Sequence, residues 1–438
     1  MDFNIRYIGN ISNKSDRHNI TYRSRCYGDY FLSTYLCSQM AKRVVIGLSG
    51  GVDSSVAAWK LISDGYDVIA LFMKNWHDNT GLLEADCPYD DDIMFAEMVA
   101  RKLGIPFHST DLSGPYRKRV VDYMFGEYEK GRTPNPDILC NREIKFDSFV
   151  DEALKLGADY IATGHYCRKE TIKGPGGDIY SLLAGIDSNK DQSYFLCQVT
   201  QQQLSKALFP IGEMKKPEVR RIADKLGLAT AHRKDSQGIC FVGKVDLPVF
   251  LQQQLSAKTG RTVEVSADLD FLSWPAALPG NDTTLEELAR MSSPFEYNPS
   301  SGKTIGKHNG AHFFTIGQRK GINIGGYSEP LFVIATDVEK NILYVGEGQS
   351  HPGLLRKGLF ISREDVHWIR PDMELREDEC IDYLVRIRYR QPLEKARLFM
   401  KKEGLFVIFE NDQRGIAPGQ FAAWYSKDEL IGSGVISR

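Results

Sequence analysis

The chain has 438 residues, about three times the length of a typical domain, so two or three domains are expected. It contains 55 Lys and Arg against 57 Asp and Glu, with 42% hydrophobic and 26% charged residues, a composition typical of a folded, soluble protein. A mostly disordered or collagen-like chain is thereby excluded, and a net charge of −2 excludes a generally basic coat for nucleic acid. No apolar run approaches the about 20 residues that cross a bilayer, so we expect no membrane partner.

The cysteines are spaced too widely to form a zinc site or a thioredoxin-like redox pair. They are Cys26, Cys37, Cys87, Cys140, Cys167, Cys197, Cys240 and Cys380, and the closest two are 11 positions apart. Because no Cys-x-x-Cys pair exists, no resident metal site is predicted. This number of cysteines in so long a chain does not resemble a secreted disulfide scaffold, which indicates a reducing, cytoplasmic location.

Residues 1–40 differ from the rest of the chain and are interpreted as an N-terminal extension. The first 39 residues are polar and contain five Lys or Arg and three Asp. Because they lack an apolar core, a secretory signal is excluded. A disordered tail, or a start codon assigned upstream of Met40, is the favoured interpretation. A transit peptide, which would place the protein in the mitochondrial matrix, is the alternative.

From residue 43 onwards, short apolar strands alternate with helices. Strands are predicted at 44–48, 67–73, 106–110 and 160–163, and helices at 54–63, 93–103, 146–156 and 217–226. Strands separated by helices of this length imply right-handed crossovers and a doubly wound, parallel, Rossmann-like α/β sheet. In such sheets ligands bind beyond the carboxyl ends of the strands.

The second half of the chain has a different composition and hydrophobic pattern. Residues 256–301 are rich in Ser, Thr, Pro and Asn, with more acids than bases, which predicts a solvated insertion or a protein-docking element. Short alternating segments follow at 311–316, 331–336, 342–345, 383–389, 396–401 and 406–409, which is typical of antiparallel sheets. We therefore predict a catalytic domain at 41–247, a central domain at 248–356 and a C-terminal β-barrel at 357–438.

Residues 49–55, with the sequence SGGVDSS, lie between the first predicted strand and its helix. Two adjacent glycines let the backbone turn tightly, so that N–H groups and the helix N-terminus point at an anion. Serine hydroxyls add donors for phosphate oxygens. Since the Gly-Lys-Ser/Thr ending of a Walker A loop is absent, the segment predicts a phosphate-binding loop without ordinary γ-phosphate hydrolysis.

This loop resembles the PP-loop of the N-type ATP pyrophosphatases, which split ATP between its α- and β-phosphates. Further motifs occur at 131–141 (GRTPNPDILCN), 143–146 (EIKF), 162–166 (ATGHY), 189–196 (NKDQSYFL), 235–241 (DSQGICF), 315–321 (TIGQRKG) and 417–420 (APGQ). In this order and spacing, from about residue 42 to the C-terminus, the chain resembles the tRNA-specific 2-thiouridylase family.

The resemblance implies ATP-dependent 2-thiolation of the wobble uridine (U34) in tRNAs of the Lys, Glu and Gln type. ATP with Mg²⁺ would adenylate the base, and AMP and pyrophosphate would be released. Cys240 would carry the sulfur as a persulfide received from an upstream sulfur carrier or cysteine desulfurase relay. Cys140 would be the nucleophile of the final step and could pair with Cys240 in a disulfide. Direct persulfide attack and released hydrosulfide both remain open.

The same resemblance implies the binding residues. The ATP-binding residues would be Gly47, Leu48, Ser49, Gly50, Gly51, Val52, Asp53, Ser54, Met73 and Gly164. The tRNA-facing residues would be Asn135, Pro136, Asp137, His165, Lys190, Asp191, Gln192, Arg388, Tyr389 and Gln420. Oligomeric state and the identity of the sulfur donor do not follow from the sequence.

Elementary chemistry supports some of these roles. Both reactive cysteines are predicted in polar loops beside basic residues, and a nearby cation lowers a thiol pKa. These neighbours are Arg142 and Lys145 for Cys140, and Arg233 and Lys234 for Cys240. Asp137, close to Cys140 in sequence, could accept a proton from the nucleophile or the base.

A basic stretch near residue 388 predicts the tRNA contact surface. Strand alternation would put Arg386, Arg388 and Arg390 on one face, where they could follow a phosphate backbone. Tyr389 could stack on an unpaired base. The cations at 215, 216, 220 and 221 could extend this surface.

Two other functions remain open at this point. Another PP-loop ATP pyrophosphatase ligase would use the same loop, but both cysteines would be inert. A non-enzymatic RNA-binding module would release neither AMP nor pyrophosphate.

Overall fold

The structure is a computed structural model that describes residues 41–77, 88–235, 247–300 and 302–438. Residues 42–438 form one compact unit. The predicted extension at 1–40 lies outside the described residues, and so does Cys240. In the part of the chain that is described, no helix has the length and apolar character to cross a membrane.

The described residues form strands and helices with the following bounds. The strands are β1 (Arg43–Gly47), β2 (Asp67–Lys74), β3 (Phe107–Asp111), β4 (Tyr160–Ala162), β5 (Cys167–Gly174), β6 (Gly177–Ala184), β7 (Ala207–Leu208), β8 (Gly260–Val265), β9 (Gly302–His308), β10 (Leu331–Asp337), β11 (Ile342–Glu347), β12 (Leu355–Ser362), β13 (Val366–Trp368), β14 (Cys380–Arg386), β15 (Glu394–Lys401), β16 (Gly404–Arg414), β17 (Phe421–Ser426) and β18 (Glu429–Val435). The helices are α1 (Val52–Ser63), α2 (Pro88–Leu103), α3 (Ser113–Tyr116), α4 (Asp122–Glu129), α5 (Pro136–Leu139), α6 (Phe149–Lys155), α7 (Gln201–Lys206), α8 (Lys216–Lys225), α9 (Leu247–Leu251) and α10 (Leu285–Ser292), with π-helical stretches at Arg117–Val121 and Cys140–Ser148.

The first sheet is parallel, with the strand order β3-β2-β1-β4-β7. Its central strand β1 is buried on both faces, as a doubly wound sheet requires. Val44 and Ile46 join the core that contains α1, whereas Val45 joins the core that contains α6, because successive side chains point to opposite faces. The predicted Rossmann-like fold is confirmed.

The strand order of this sheet reverses between β1 and β4. The chain passes from β1 to β2 and β3 on one side, and later adds β4 and β7 on the other. A crevice forms at such a reversal, at the carboxyl ends of the strands, and it is the usual ligand position. The loop after β1 therefore lies where a nucleotide is expected.

One long helix runs from Pro136 to Lys155 and is called here the Cys140 helix. Its middle part, Cys140–Ser148, has π-helical hydrogen bonding, a feature often found at functional sites. Asn135 caps the helix, since its side-chain oxygen accepts the N–H of Ile138 at 3.3 Å. The predicted helix at 146–156 was therefore too short, and Cys140 lies in a helix rather than in the predicted loop.

A second sheet has the order β10-β11-β8-β9, in which β8 and β11 are parallel. The predicted solvated insertion at 256–301 is wrong for two pieces of that segment. β8 lies inside this sheet with Val263 and Val265 buried, and α10 buries Leu288 against β12 and β16. The strand predicted at 311–316 is also wrong, because Ala311–Phe313 forms a 3₁₀ turn.

The third sheet forms the C-terminal barrel, with the order β12-β16-β15-β14-β17-β18-β6-β5 and β13 added to β18. Backbone hydrogen bonds join Phe360 of β12 to Ser437 and Arg438, which brings the two ends of the barrel together. The hairpin β5–β6 lies in the first half of the chain but pairs with β18. The third sheet thus includes a hairpin that lies between β4 and β7 of the first sheet in sequence, and the domain boundaries at 247 and 356 stay predictions.

Candidate active site

The loop between β1 and α1 is shaped by one glycine. Gly50 has a φ of +74°, a conformation that side chains disfavour. A Cβ on Gly50 would lie 2.3 Å from the carbonyl oxygen of Asp92, so even alanine does not fit. The tight turn predicted from the sequence therefore has a steric basis.

Serine hydroxyls brace this loop from inside. The Ser54 hydroxyl donates to the carbonyl of Gly51 at 3.1 Å and accepts the N–H of Ser49 at 3.2 Å. The Ser55 hydroxyl also donates to the Gly51 carbonyl, at 2.8 Å. The Ser49 side chain is exposed, whereas those of Ser54 and Ser55 are buried. Ser49 is thus the hydroxyl of the loop that faces outward.

Two predicted ATP-binding residues from other strands lie against this loop. Gly164 follows β4, and a Cβ there would lie 2.7 Å from the backbone nitrogen of Ser54, so glycine permits the close approach. On the other side, the Met73 Cε lies 3.5 Å from the Cβ position of Gly47. The structure therefore brings the predicted ATP-binding residues together at one edge of the sheet, although their role as ligands stays a prediction.

A cluster of ion pairs lies beside the loop, and we call it the Asp53 cluster. It consists of Asp53, Tyr166, Lys190, Lys216, Arg220 and Asp235. The Lys216 ammonium lies 2.8 Å from both carboxylate oxygens of Asp53 and 2.7 Å from Asp235. Asp235 also pairs with Lys190 at 2.6 Å and with Arg220 at 2.8 Å. The buried Asp187 carboxylate adjoins this cluster and accepts the backbone N–H of Lys216 at 2.8 Å, so three carboxylates and three cations meet beside the phosphate-binding loop.

Two pKa shifts reflect this cluster. Burial raises the pKa of the Tyr166 hydroxyl, and the Asp53 carboxylate, which accepts its hydrogen bond at 2.7 Å, raises it further. Burial also acts against ionisation of Asp235, but hydrogen bonds from Lys190 and Lys216 outweigh it and hold the pKa of Asp235 at about 2. Tyr166 therefore stays a hydrogen-bond donor and Asp235 stays ionised at neutral pH.

Arg233 joins the loop to the helix α2. Its guanidinium donates to the carbonyl of Gly50 and to the Asp92 carboxylate, both at 2.8 Å. Burial raises the pKa of Asp92, and the Arg233 ion pair partly offsets this effect. The sequence predicts that Arg233 lowers the pKa of the Cys240 thiol. It also predicts that the cations at 215, 216, 220 and 221 extend the tRNA contact surface. That surface assignment is wrong for Lys216, which is buried in the Asp53 cluster.

The described residues offer no ready-made site for Mg²⁺. They contain no group of three His, Cys, Asp or Glu side chains placed to hold a metal ion. The nearest carboxylate to the loop, Asp53, is held by Lys216 and Tyr166. Mg²⁺ usually needs a carboxylate free to bind beside the phosphates. Asp53 is therefore not free to bind Mg²⁺ in this arrangement.

Cys140 lies completely buried in the first turns of its helix. Of the basic neighbours expected to activate it, Arg142 is bound by Glu143 at 2.7 Å and by Gln198 at 2.9 Å. Asp137, half-buried, lies three positions before Cys140 in the same helix. The structure thus places Asp137 and Cys140 in adjacent turns.

The other buried cysteines fit an inert role. Burial raises the pKa of the Cys167 thiol, and the nearby Asp191 raises it further. Burial likewise raises the pKa of Cys197 to about 12. Because the thiolate is the reactive form, neither residue is suited to nucleophilic chemistry.

His165 is buried next to the Cys140 helix. Its Nδ1 lies 2.8 Å from the Thr163 hydroxyl, and its ring packs near Phe146 and Phe209. Burial lowers the pKa of His165 well below its usual range, and the charge of Lys145 lowers it further. His165 is therefore neutral at pH 7, and its predicted contact with tRNA stays a prediction.

The side chains of residues 190–192 contact three different parts of the protein. Lys190 reaches the Asp53 cluster, while Asp191 forms a buried ion pair with Arg386 of β14 at 3.1 Å. Gln192 accepts the backbone N–H of Tyr166 at 3.1 Å. The tripeptide is thus held by protein contacts on every side, and its predicted contact with tRNA stays a prediction.

A cavity of about 420 Å³ lies where the barrel meets the 315–318 turn, and we call it the barrel-side pocket. It is lined by Thr315, Ile316, Gly317, Gln318, Arg388, Tyr389, Arg390 and Gln420. Three predicted tRNA residues therefore share this pocket. The sequence predicts no binding role for the 315–318 turn, because nothing in its composition indicates that it forms a pocket wall.

The pocket adjoins the start of the Cys140 helix. The Gln420 side-chain amide donates to the carbonyl of Thr133 at 2.9 Å and to that of Pro134 at 3.3 Å. Asn135 and Pro136, the cap and first residue of the helix, follow directly. Three predicted tRNA residues, Arg388, Tyr389 and Gln420, thus line the pocket, and two more, Asn135 and Pro136, follow the segment that Gln420 contacts.

The predicted row of three arginines on one strand face is wrong. β14 ends at Arg386, so the strand does not continue to Arg388 and Arg390. The Arg386 side chain is buried, where it pairs with Asp191 and lies 4.7 Å from the centre of the Tyr425 ring. Arg388 and Arg390 follow in a turn and are exposed at the pocket. Of the three arginines, Arg388 and Arg390 are therefore the ones exposed to a bound nucleic acid.

Models of known protein families match three successive regions of the chain. Three family models match, described as the tRNA methyl transferase HUP domain over residues 42–244, the tRNA methyl transferase PRC-barrel domain over 289–347, and the aminomethyltransferase beta-barrel domain over 359–436. Together they cover most of the chain.

Similar curated proteins are named tRNA-specific 2-thiouridylase MnmA. The protein from Christiangramia forsetii is 57% identical over 406 residues, covering 90% of this chain and 100% of the relative. That from Flavobacterium johnsoniae is 57% identical over 396 residues, with the same coverages. That from Halalkalibacterium halodurans is 43% identical over 397 residues, covering 90% of this chain and 94% of the relative. This chain therefore belongs to the tRNA-specific 2-thiouridylase family.

Proposed function

We propose that this protein is an ATP-dependent sulfurtransferase that converts the wobble uridine of tRNA to 2-thiouridine. The observation that carries the proposal is the course of the Cys140 helix. It begins at Asn135 beside the barrel-side pocket, carries Cys140 in its first turns, and brings the Phe149 ring within 3.6 Å of the Cβ position of Gly47 at the end of β1. One rigid element thus joins a candidate base pocket, a cysteine and the phosphate-binding loop.

The first chemical step would use the phosphate-binding loop. The uridine O2 attacks the α-phosphorus of ATP, so that an O–P bond forms, the bond to the β-phosphate oxygen breaks, and pyrophosphate leaves. Backbone N–H groups of the loop and the N-terminus of α1 would stabilise the departing pyrophosphate. Mg²⁺ would accompany the phosphates and neutralise part of their charge when bound.

The second step would use the two cysteines, of which Cys240 lies outside the described residues. A persulfide on Cys240 attacks C2 of the adenylated base, and AMP leaves as the C2–O2 bond breaks. The Cys140 thiolate then attacks the Cys240 sulfur, which forms a disulfide and leaves the outer sulfur on the base. A cellular thiol reductant would restore both thiols. Attack by hydrosulfide released in the same exchange is an equivalent route.

The tRNA would approach from the barrel side. Tyr389 offers an aromatic face beside Phe195, whose ring centroid is 4.3 Å away. Arg388 and Arg390 add positive charge at the same opening. Single-stranded bases are commonly bound by stacking on such rings with cations nearby. The sulfur would come from an upstream persulfide carrier, and a reducing cytoplasm is the location we propose.

A PP-loop ligase with inert cysteines is the alternative, and the cysteines distinguish the two functions. In an assay with ATP, a sulfur donor and unmodified tRNA, a Cys140→Ser variant should still release pyrophosphate with tRNA but form no 2-thiouridine in a nuclease digest. Cys380→Ser is the matched control, because Cys380 lies on β14 in the apolar cluster that contains α10. This variant should form 2-thiouridine at the wild-type rate. Normal 2-thiouridine formation by Cys140→Ser would refute the proposal.

A further inference from the structure

Three arginines lie at the edge of the barrel-side pocket, and one of them has no role in the site described above. Arg388 and Arg390 line the pocket, whereas Arg414 is the last residue of β16. The Arg388 guanidinium donates to the carbonyl of Ile316 at 3.1 Å and to that of Gly415 at 2.8 Å. Arg388 therefore contacts the backbone of the residue that directly follows Arg414.

An aromatic ring supports the Arg414 side chain at the surface. The guanidinium carbon of Arg414 lies 4.6 Å from the centre of the Phe332 ring. Phe332 is buried in the second sheet, whereas Arg414 is exposed. A ring face attracts a guanidinium but has no net charge, so the positive charge is not neutralised. The planar guanidinium also presents N–H groups in the geometry that matches the oxygens of a phosphate.

The charges of these arginines are not balanced by carboxylates. In the part of the chain that the structure describes, none of Arg388, Arg390 and Arg414 forms an ion pair. Asp412, two positions before Arg414, lies near Lys357. Burial lowers the pKa of Lys357, and the Asp412 charge partly offsets this effect. The acidic residue closest in sequence to Arg414 therefore has another cation beside it.

Arg388 and Arg414 are close enough to repel each other. Partial burial lowers the pKa of Arg388, and the charge of Arg414 lowers it further, while Tyr194 acts in the opposite direction. Both guanidinium groups stay charged at neutral pH. Because an anion that binds beside both groups relieves their repulsion, the pair favours an anionic ligand.

The position of the pair indicates the kind of anion. Arg388 lines the pocket beside Tyr389, the ring proposed to stack on a tRNA base. A nucleotide whose base enters this pocket carries its backbone phosphates past the pocket edge. The phosphates of ATP would bind elsewhere, at the loop between β1 and α1. The sugar-phosphate backbone of the tRNA is therefore the anion that fits this pair.

We infer that Arg414 is a tRNA-binding residue, which pairs with a backbone phosphate next to the wobble uridine together with Arg388. The inference rests on the proposed function for the identity of the nucleic acid. It adds to the tRNA contact surface a residue that the sequence analysis does not include. Because a phosphate contact is independent of the base, Arg414 adds affinity and orients the tRNA without selecting the nucleotide.

The dependence of tRNA affinity on salt tests this inference on the full chain. Filter binding with unmodified tRNA is measured between about 50 and 200 mM salt. Arg414→Met should lower the affinity about fivefold at the lowest salt concentration. It should also reduce the slope of log affinity against log salt by about 0.7–0.9, because one phosphate fewer is neutralised. Arg414→Lys, which keeps the charge, should keep the slope.

A second measurement separates a phosphate contact from a contact with the base. A tRNA with cytidine at the wobble position should lose affinity for Arg414→Met by the same factor as the tRNA with uridine, because both carry the same backbone. Calorimetry with α,β-methylene ATP, which resists cleavage between the α- and β-phosphates, should give an unchanged nucleotide affinity. A loss confined to the tRNA with uridine would overturn the inference.

Arg363→Met is the matched control. Arg363 is also exposed on the barrel, and its guanidinium donates to the carbonyl of Lys401 at 3.3 Å. Its backbone N–H bonds the carbonyl of Glu403 at 3.2 Å, so it lies at the start of β16, about 30 Å along the strand from Arg414. Arg363→Met should change neither the tRNA affinity nor the slope.

Two outcomes would overturn the inference. One is an Arg414→Met protein with the affinity and salt slope of the wild type, and the other is an equal loss in Arg363→Met. If the wild type binds tRNA and Arg414→Met shows the expected loss, but no 2-thiouridine forms, the proposed function fails while this inference still stands.

Discussion

The phosphate-binding loop is one stretch of sequence, residues 49–55, whereas the barrel-side pocket is assembled from residues 315–318, 388–390 and 420. The loop obtains most of its shape locally, from the φ of Gly50 and from serine hydroxyls within five positions, with one distant contact from Arg233 to the Gly50 carbonyl. The pocket obtains its shape from distant backbone contacts, such as the Arg388 guanidinium on the carbonyls of Ile316 and Gly415.

The difference explains why the two regions should respond differently to mutation. A contiguous loop braced by its own hydrogen bonds fails when one backbone position is altered. A pocket built from several segments loses only the contribution of the side chain that is removed. The predictions below test this contrast, beginning with the largest effect.

Gly50→Ala should lower ATP affinity by about 100-fold or more, because the added Cβ would lie 2.3 Å from the Asp92 carbonyl oxygen and displace the loop. Affinity for tRNA should change little, since the pocket shares no segment with the loop. Calorimetry with the ATP analogue and filter binding with tRNA measure the two effects.

Gly126→Ala is the control for Gly50→Ala. Gly126 is in α4 with no atom within 4 Å of its Cβ position, so alanine there should stabilise the helix by about 0.5–1 kcal/mol. A Gly50→Ala protein with wild-type ATP affinity would contradict the steric account of the loop.

Tyr389→Ala should lower tRNA affinity about tenfold through loss of a stacking surface. ATP affinity should stay unchanged, because the ring packs on Phe195 in the barrel-side pocket and not on the loop. Tyr389→Phe keeps the ring and should retain most of the tRNA affinity. The contrast between the two regions would be wrong if Tyr389→Ala weakened ATP binding instead.

His165→Gln should flatten the dependence of stability on pH, the smallest of the three effects. Burial, aided by Lys145, holds the pKa of His165 well below its usual value, so the folded protein keeps it neutral. The unfolded chain takes up a proton below about pH 6.5. Stability therefore falls as the pH decreases below that value, by up to about 1.4 kcal/mol per pH unit for one such group.

The free energy of unfolding in urea between about pH 5 and 7 measures this slope. His232→Gln is the control, because the His232 side chain is 88% exposed. Four other histidines, His308, His312, His351 and His367, contribute to the remaining slope, because burial also lowers their pKa values. An unchanged slope in His165→Gln would contradict the assignment.

Much of the fold could be predicted because strand and helix periodicity is a local signal. The parallel sheet followed from the alternation between residues 43 and 163, and the loop from the segment 49–55. β8 and α10 were missed because only a few apolar residues, such as Val263 and Leu288, mark them within a polar stretch.

The Asp53 cluster could not be predicted, since its members come together only in three dimensions. Lys216 looks like a surface cation at the start of a helix, and its burial depends on Asp53 and Asp235 from other parts of the chain. The prediction of the pocket residues likewise depended on the resemblance to a known family. Residues 72 positions apart, such as Ile316 and Arg388, share no local sequence pattern that would predict their contact.

Transfer of a sulfur atom from one cysteine to the base is the central claim, and a chase experiment with mass spectrometry tests it most directly. The full chain is loaded by a persulfide donor, freed of excess donor, and mixed with ATP and unmodified tRNA. We expect an adduct of about 32 Da on the Cys240 peptide that disappears as 2-thiouridine forms. Formation of 2-thiouridine at the wild-type rate by a Cys240→Ser protein, with no adduct, would contradict the claim.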